Sequence, residues 1–412
     1  MAGPDVAEFL RILRAGTVDC ITDDELRDKL ETGRPLRVKL GLDPTASDIH
    51  LGSAVVLRKL RQFQDLGHVA VLIIGDFTAR VGDPSGRTAT RPALSGDEID
   101  VHATTYVDQA QRILLPDKER LEVRYNSEWL AAMDMADVLR LTSRVTVARL
   151  LERNDFSARY DAGEPISLME LLYPLLQGWD SVMIDADVEL GGTDQLFNIL
   201  MGRHLQEQAG RDPQVVLTTP LLVGTGGGEK MSKSLGNHVG ITEPADEQFG
   251  KLMRIPDEVM AQYFELTTGW DPDDVAEIGA KIERAKPADR GGLKRQLART
   301  VVDVYHGEGA GAAAEAEFDR VFKDHAAPSE VQEYLIPPEE LRDGRIEVAR
   351  LLTLAGLAAS NREGRRKIQE GGVYLDDERV TDPSLEVAPG DVDGRLLRLG
   401  RRRRSWARIR AG

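Results

Sequence analysis

The sequence predicts an α/β protein: a parallel sheet with crossover helices, then a charged helical region, then a small basic module. Two apolar runs of strand length with a helix-spaced segment between them predict the sheet. Charged, helix-periodic sequence after about residue 243 predicts the second part, and a reversal of charge predicts the third. Residues 341–412 hold 16 Lys and Arg against 11 Asp and Glu, a net of +5; the whole chain carries −16, which leaves −21 on the first 340 residues.

The first 30 residues read as one or two amphipathic helices, with Phe9, Leu10, Ile12 and Leu13 on one side. Leu36–Leu40 is a short apolar run that ends in Gly-Leu-Asp-Pro-Thr. Ser53–Leu66 follows as a helix, because Val55, Val56, Leu60 and Phe63 recur at helical spacing. Val69–Ile74 reads as a buried strand ending at Gly75-Asp76, which completes a βαβ unit. A further strand, Gln214–Thr218, leads into Pro220 and the glycine-rich Gly224–Gly228. The helical stretch from Glu243 to Phe322 is expected to break at Lys286–Gly292, and His325–Asp343, with its Ala-Ala-Pro and Ile-Pro-Pro, to serve as a linker.

Composition narrows the function classes. Hydrophobic residues at 41% and charged residues at 30% describe a globular chain, and no apolar run reaches the roughly 18–20 residues of a membrane span. The opening MAGPDVAEFLRILRAG lacks the apolar stretch of a signal peptide, so the cytoplasm is the expected compartment. One cysteine, Cys20, excludes an internal disulfide framework and a Cys-cluster zinc site. The seven histidines form no HExxH or HxxxH pair, so no dedicated protein metal site is expected. An acidic body with a basic tail fits a protein that touches a polyanion locally.

Four segments carry chemistry. Asp43–Ser53 opens the first crossover helix, where unpaired N–H groups favour phosphate, His50 can donate to a phosphate oxygen, and Gly52 lets a nucleotide lie close to the backbone. Lys230-Met-Ser-Lys233-Ser234 follows a glycine run and offers two cations for a leaving pyrophosphate; it lacks the spacing of a P-loop. Tyr173, Gln177 and Asp180 fall on one face of a helix, a costly set to bury without polar partners. Gly191-Gly192-Thr-Asp194-Gln195 reads as a strand end turning into a helix. Each segment also has a plain structural reading: a strand-to-helix turn, a solvated loop, an internal polar network and a capped tight turn.

Taken together, the segments resemble the class I aminoacyl-tRNA synthetases, and the tyrosyl-tRNA synthetases of bacteria in particular. His50-Leu-Gly52 and Lys230–Ser234 resemble the two class signatures, about 180 residues apart. Tyr173, Gln177 and Asp180 match the family's tyrosine-pocket helix, and Gly191–Gln195 its second pocket segment. Thr78, Asp83 and Gly82–Gly86 match the segment that grips the ammonium group, and Arg87 and Arg91 fall where the family places mobile cations. Val348–Val380 resembles an S4-type RNA-binding module, with Gly356, Ser360, Arg365, Arg366 and Gly371-Gly-Val-Tyr-Leu.

The resemblance implies a Rossmann-like catalytic domain over residues 1–240, an α-helical anticodon-side domain over 241–324, a linker over 325–344 and an S4-like α+β domain over 345–412. It implies activation of L-tyrosine with ATP, carried with Mg²⁺, and transfer to tRNA(Tyr) by a homodimer. His50 and Thr45 are expected at the ATP phosphates, with Lys230, Lys233, Arg87 and Arg91 on the pyrophosphate. Asp43, Gly52, Ser53, Gly192 and Asp194 are expected around the rest of ATP. Tyr173, Gln177, Asp83, Thr78 and Gln195 are expected at the amino acid, with Asp180 at the phenol. Arg365, Arg366, Arg401 and Arg402 are expected on RNA.

Three departures stand out. Ser53 ends the first motif where the family usually has His or Asn; Lys39-Leu40 stands where the larger bacterial branch has Tyr-Cys, and a second branch carries a similar Lys-Leu-Gly-Leu-Asp run; Gly364 replaces a common alanine and is expected to loosen its helix. Ser53 keeps open a paralogue with a specialised role, in resistance or with a non-standard amino acid. A non-catalytic RNA-binding relative is the third reading, against which Lys230, Lys233 and the Tyr/Gln/Asp helix stand.

Overall fold

The computed structural model describes residues 5–44, 48–85, 96–323, 331–376, 378–400 and 405–411. Thr45, Arg87, Arg91, Arg401 and Arg402 lie outside the described residues. The chain divides into two compact units, Met1–Ala314 and Glu315–Gly412.

The first unit opens with α1 (Val6–Arg14), the two-residue strand β1 (Cys20–Ile21) and α2 (Asp23–Glu31). The side chains of Asp5 and Thr22 cap the two helices by accepting first-turn N–H groups. Then β2 (Arg37–Leu42), α3 (Leu51–Asp65) and β3 (Val69–Ile74) form the expected βαβ unit, with β2 and β3 parallel. The short α4 (Thr78–Val81) and α5 (Gly96–Ala110) lead to β4 (Leu121–Tyr125), a half-exposed edge strand with a weak apolar signal. Four short helices follow: α6 (Ser127–Leu130), α7 (Met135–Thr142), α8 (Val147–Leu150) and α9 (Asn154–Asp161). The long α10 (Leu168–Met183) opens on a capping box between Ser167 and Glu170. Next come β5 (Val188–Gly192), a single 3₁₀ turn, α11 (Leu196–Gln208) and β6 (Val215–Thr219).

The sheet order is β1-β6-β5-β2-β3-β4, with β1 antiparallel to its neighbour and the other five strands parallel. The chain winds outward from β2 to β4, then returns beside β2 as β5 and winds the other way. The carboxyl ends of β2 and β5 therefore flank the point of reversal, where open α/β sheets bind ligands. Burial on both faces explains the unbroken apolar runs: every residue of β5 and β6 is buried. Lys39, in the middle of β2, and Glu189 of β5, its partner in the strand register, are the buried charged exceptions.

Five helices complete the helical region: α12 (Ala245–Leu252), α13 (Met260–Thr267), α14 (Pro272–Arg284), α15 (Pro287–His306) and α16 (Ala310–Phe322). The break expected over 286–292 is confined to Ala285 and Lys286. Pro287 is the first residue of α15, where its missing N–H costs nothing, and Gly291 and Gly292 lie within that helix.

The second unit holds β7 (Glu333–Ile336), β8 (Ile346–Glu347), α17 (Val348–Leu354), α18 (Asn361–Gln369), β9 (Val373–Leu375), β10 (Glu378–Arg379), β11 (Glu386–Val387), α19 (Pro389–Val392), β12 (Leu396–Leu399) and β13 (Ser405–Ala411). Its main sheet runs β10-β9-β12-β13-β7, over a core that includes Leu351, Leu352, Ile368, Val373, Leu397 and Ile409. Residues 333–336, expected within the linker, are instead an edge strand paired in parallel with β13; Ile336 is buried in the core, and Pro337 and Pro338, without N–H groups, end the pairing. Gly364, expected to loosen its helix, has a packing role. A Cβ there would lie 2.8 Å from the carbonyl oxygen of Ala349, so glycine is what lets α18 close on α17.

Candidate active site

A cavity of about 1060 Å³ opens at the carboxyl edge of the first unit's sheet. It gathers the expected residues from five separate stretches: Asp43, His50, Gly52 and Ser53; Thr78 and Asp83; Tyr173, Gln177 and Asp180; Gly192, Asp194 and Gln195; and Lys230 and Lys233. The spacing argument for α10 holds in space, because Tyr173, Gln177 and Asp180 all line the cavity.

One end is buried and interlocked. Asp180 accepts hydrogen bonds from Trp129 Nε1 at 2.8 Å and Asn126 Nδ2 at 3.3 Å. It therefore does not depend on a ligand for its only partners, and a carboxylate with two donors still has lone pairs for a third. Burial pushes its carboxyl up to about 7, against the opposing pull of the Lys39 charge and of the two donors. Asp43 accepts the Thr78 hydroxyl at 2.7 Å on one oxygen and the Tyr173 hydroxyl at 2.8 Å on the other. Burial raises Asp43 to about 7 and drives the Tyr173 phenol well above its ordinary range. Asp43, expected with the ATP residues, thus shares its hydrogen bonds with two residues expected at the amino acid. Gln195 Nε2 donates to Asp83 at 2.7 Å. Gln177 Oε1 is buried without a hydrogen-bond partner, an acceptor left open in the cavity wall.

The other end is open and held by ion pairs. His50 caps α3, its Nδ1 accepting the Ser53 N–H at 3.4 Å. That bond leaves Nε2 to carry the ring hydrogen. Burial, with Lys233 and His238 nearby, lowers the imidazole to about 4, so the ring is neutral at pH 7 and its N–H is a donor. A Cβ on Gly52 would come within 3.0 Å of the same Nδ1. Lys230 pairs with Asp194 at 2.9 Å, and Lys233 with Asp48 at 3.6 Å. The glycine run forms the tip of a hairpin whose base is closed by a Val223–Lys230 bridge, and Asn237 pins it by accepting the Ser232 N–H and donating to the Lys230 carbonyl. Met231 is buried, so the lysines stand on either side of an apolar anchor.

In the second unit, Arg365 and Arg366 lie on the exposed side of α18. Arg365 pairs with Glu347 at 2.6 Å, and Arg366 with Glu363 at 3.5 Å.

Several site residues had no signal in the sequence. Asn126 and Trp129 sit at the carboxyl end of β4, the edge strand with the weak pattern. Gly75 is required because a Cβ there would come within 1.9 Å of Asp43 Oδ1 and 2.4 Å of Thr78 Oγ1. Its place at the end of β3 was visible, but its reason was not. Lys39 did carry a signal, as a departure from the larger bacterial branch, but its partners were not readable: it is fully buried, its Nζ donates to the Gln177 carbonyl at 2.8 Å and to Ser181 Oγ at 2.7 Å, and it pairs with Glu189 at 2.9 Å.

The family described as tRNA synthetases class I (W and Y) matches residues 31–323, and the S4 domain family matches residues 349–393. The tyrosine–tRNA ligase of Moorella thermoacetica is 48% identical over 405 residues, covering 97% of this chain and 95% of its own. That of Salinibacter ruber is 47% identical over 414 residues, covering 100% and 98%. A C-terminally truncated mitochondrial tyrosyl-tRNA synthetase of Aspergillus nidulans superposes with a TM-score of 0.63 at 22% identity, over 76% of this chain and 94% of its own. The Archaeoglobus fulgidus tyrosyl-tRNA synthetase complexed with L-tyrosine gives 0.61 at 21% identity, over 75% and 99%. At these identities the two structures speak to the fold.

Proposed function

The chain belongs to the tRNA synthetases of class I (W and Y) and charges tRNA with tyrosine, with ATP as co-substrate; from that premise we propose how its own residues divide the work. The tyrosine carboxylate, ionised at pH 7, attacks the α-phosphorus of ATP in line. A carboxylate oxygen–phosphorus bond forms as the bond to pyrophosphate breaks. The adenylate then passes its tyrosyl group to a hydroxyl of the 3′-terminal ribose of tRNA(Tyr): an ester bond forms at the tyrosyl carbonyl carbon as its bond to the phosphate oxygen breaks, and AMP leaves, its phosphate taking the hydroxyl proton. The first step needs no general base, so the protein's task is positioning and charge stabilisation.

Asp180 accepts the phenol hydroxyl. Tyr173, Gln177, Asp83 and Thr78 hold the ammonium group, with Gln195 steadying Asp83 and Asp43 joining this set to the nucleotide. The open Gln177 Oε1 supports that assignment. His50 donates from Nε2 to a phosphate oxygen. Lys230 and Lys233, with Thr45, Arg87 and Arg91, meet the phosphates of ATP, which brings Mg²⁺ as part of the substrate. Asp194 exchanges Lys230 for the ribose hydroxyls, and Ser53, Gly52 and Gly192 border the nucleoside. The carrying observation is one cavity with a buried carboxylate, Asp180, at one end and the Lys230–Lys233 loop at the other.

We assign the exposed arginines of the S4 unit, Arg365 and Arg366, with Arg401 and Arg402, to the tRNA backbone, and the helical stretch 241–324 to the anticodon side. Arg365→Ala is expected to weaken tRNA binding and lower the salt slope by about 1; an unchanged slope counts against the contact. We also propose a homodimer, supported by large apolar side chains exposed on α7 to α10: Met135, Leu139, Val147, Tyr160 and Leu168. No helix among the described residues is long and apolar enough to cross a membrane, and we place the activity in the cytoplasm.

The deciding experiment is amino-acid-dependent ATP–pyrophosphate exchange across all twenty amino acids. Exchange with tyrosine alone establishes adenylation and the identity of the amino acid together, and shows that Ser53 is tolerated. Exchange with another amino acid points to a specialised paralogue, and none at all from folded protein points to a non-catalytic relative.

A further inference from the structure

A charged pair lies beneath the amino-acid end of the cavity. Lys39 of β2 and Glu189 of β5 are register partners in the sheet, and both are almost wholly removed from solvent. Their bonds run to the turn of α10 that carries the pocket residues. Lys39 Nζ donates to the carbonyl of Gln177 and to Ser181 Oγ. Glu189 accepts from Gln177 Nε2 at 3.4 Å, from Ser181 Oγ at 2.9 Å and from Gln214 Nε2. Ser181 is the next residue after Asp180, and Gln177 is one turn before it. A buried ion pair is weak evidence for stability in itself, since an apolar pair of the same volume commonly serves as well. Its cost is better explained by what it orients.

We propose that the Lys39–Glu189 pair acts as the positioning device of the amino-acid pocket: it fixes the α10 turn that presents Gln177 and Asp180, and it supplies the positive charge that the Asp180 carboxylate faces. The proposal rests on tyrosine being the amino-acid substrate. The charged and titratable groups facing Asp180 are Lys39 from β2, Glu189 from β5, Asp43 beyond the end of β2 and Tyr173 on α10 itself. Lys39 is the one cation of that set, and it opposes the rise that burial imposes on Asp180. An anionic Asp180 accepts the phenol hydrogen of tyrosine and is left without that donor by phenylalanine. Lys39 thus favours discrimination without touching the substrate.

The test compares the unmodified protein with Lys39→Met and with the charge-balanced Lys39→Met/Glu189→Gln, by tyrosine- and phenylalanine-dependent ATP–pyrophosphate exchange across pH, with thermal melts as a check on folding. In Lys39→Met, KM for tyrosine is expected to rise more than kcat falls, the acid limb of kcat/KM to move up in pH by about one unit, and the tyrosine-to-phenylalanine ratio to drop about tenfold. The double variant is expected to melt close to the unmodified protein and to keep a lowered ratio, with the acid limb displaced less than in Lys39→Met, because the opposing charge of Glu189 is removed as well. Should Lys39→Met not fold, the double variant carries the test. A folded variant with the acid limb and ratio of the unmodified protein overturns the proposal. So does a double variant that recovers both, since the pair would then only fill space. Failure of the unmodified protein to exchange with tyrosine is a separate result: it removes the tyrosine reading, and the proposal with it.

Discussion

The two ends of the cavity are built from opposite materials. At the amino-acid end, Asp180, Tyr173 and Thr78 are buried, and their polar atoms are joined through Asn126, Trp129 and Asp43. At the nucleotide end, Lys230 stays 42% exposed and Asp194 25%, joined by one ion pair at the foot of a glycine-rich hairpin. The difference follows from what each end must do. Rejecting a substrate that lacks one hydroxyl requires polar groups that water cannot rescue, hence burial and a fixed geometry. Stabilising a leaving pyrophosphate requires cations that can follow it, hence exposure and a hinge of glycines.

The comparison is open to attack from both sides, and Lys233→Ala carries the largest expected effect. The rate of adenylate formation in a single turnover should fall about 10²- to 10³-fold, while tyrosine affinity stays near that of the unmodified protein. Equal losses in both would mean that the two ends are not separate. Next is Asp180→Asn, which keeps the shape but removes the anionic acceptor. The tyrosine-to-phenylalanine ratio of kcat/KM should fall about 10- to 100-fold, and an unchanged ratio would show that Asp180 is not the reader.

The third test uses pH. Asp43 and Asp180 both stand at about 7, far above their usual range near 4. Tyrosine affinity should therefore weaken as pH falls through 7. Stability should move the other way. A carboxyl whose folded pKa is raised contributes fully below its unfolded pKa, and that contribution is lost as pH rises through about 7. His50, held at about 4, works against this, since its contribution is present above about 6.5 and is lost as pH falls toward 4. Thermal melts of the unliganded protein, with Asp43→Asn and Asp180→Asn alongside, should show a flatter pH dependence in each variant. Identical slopes would remove the two carboxyls as the cause. The smallest effect is expected from Lys230→Met, which breaks only an exposed ion pair. Its unliganded stability should stay within about 1 kcal/mol of the unmodified protein, and a larger loss would show that the nucleotide end is as interlocked as the other.

Local pattern made part of this architecture readable in advance. The run Val69–Ile74 announces a strand buried on both faces, and the residues from Val55 to Phe63 announce the helix before it. The half-exposed strand Leu121–Tyr125 and the short strand Glu333–Ile336 have no such pattern, because each lies at a sheet edge and buries only part of its length. The site follows the same rule. Tyr173, Gln177 and Asp180 are readable because their spacing is that of one helix face, and Lys230 and Lys233 because they sit in one short loop beside glycines.

What the sequence determined by itself is which elements exist and which side chains are chemically equipped: neighbours along a helix or strand share a face by the geometry of the backbone alone. What the tertiary structure decided is the state of those side chains. Asp180 finds Trp129 and Asn126 from more than 50 residues away, Asp43 meets Tyr173 across 130, and Lys39 reaches Ser181 across 142. Those meetings arise because the winding of the sheet reverses beside β2, so that the ends of β2, β3, β4 and β5 open on one crevice. No spacing rule along the chain encodes that reversal, and the charge carried by each buried group depends on it.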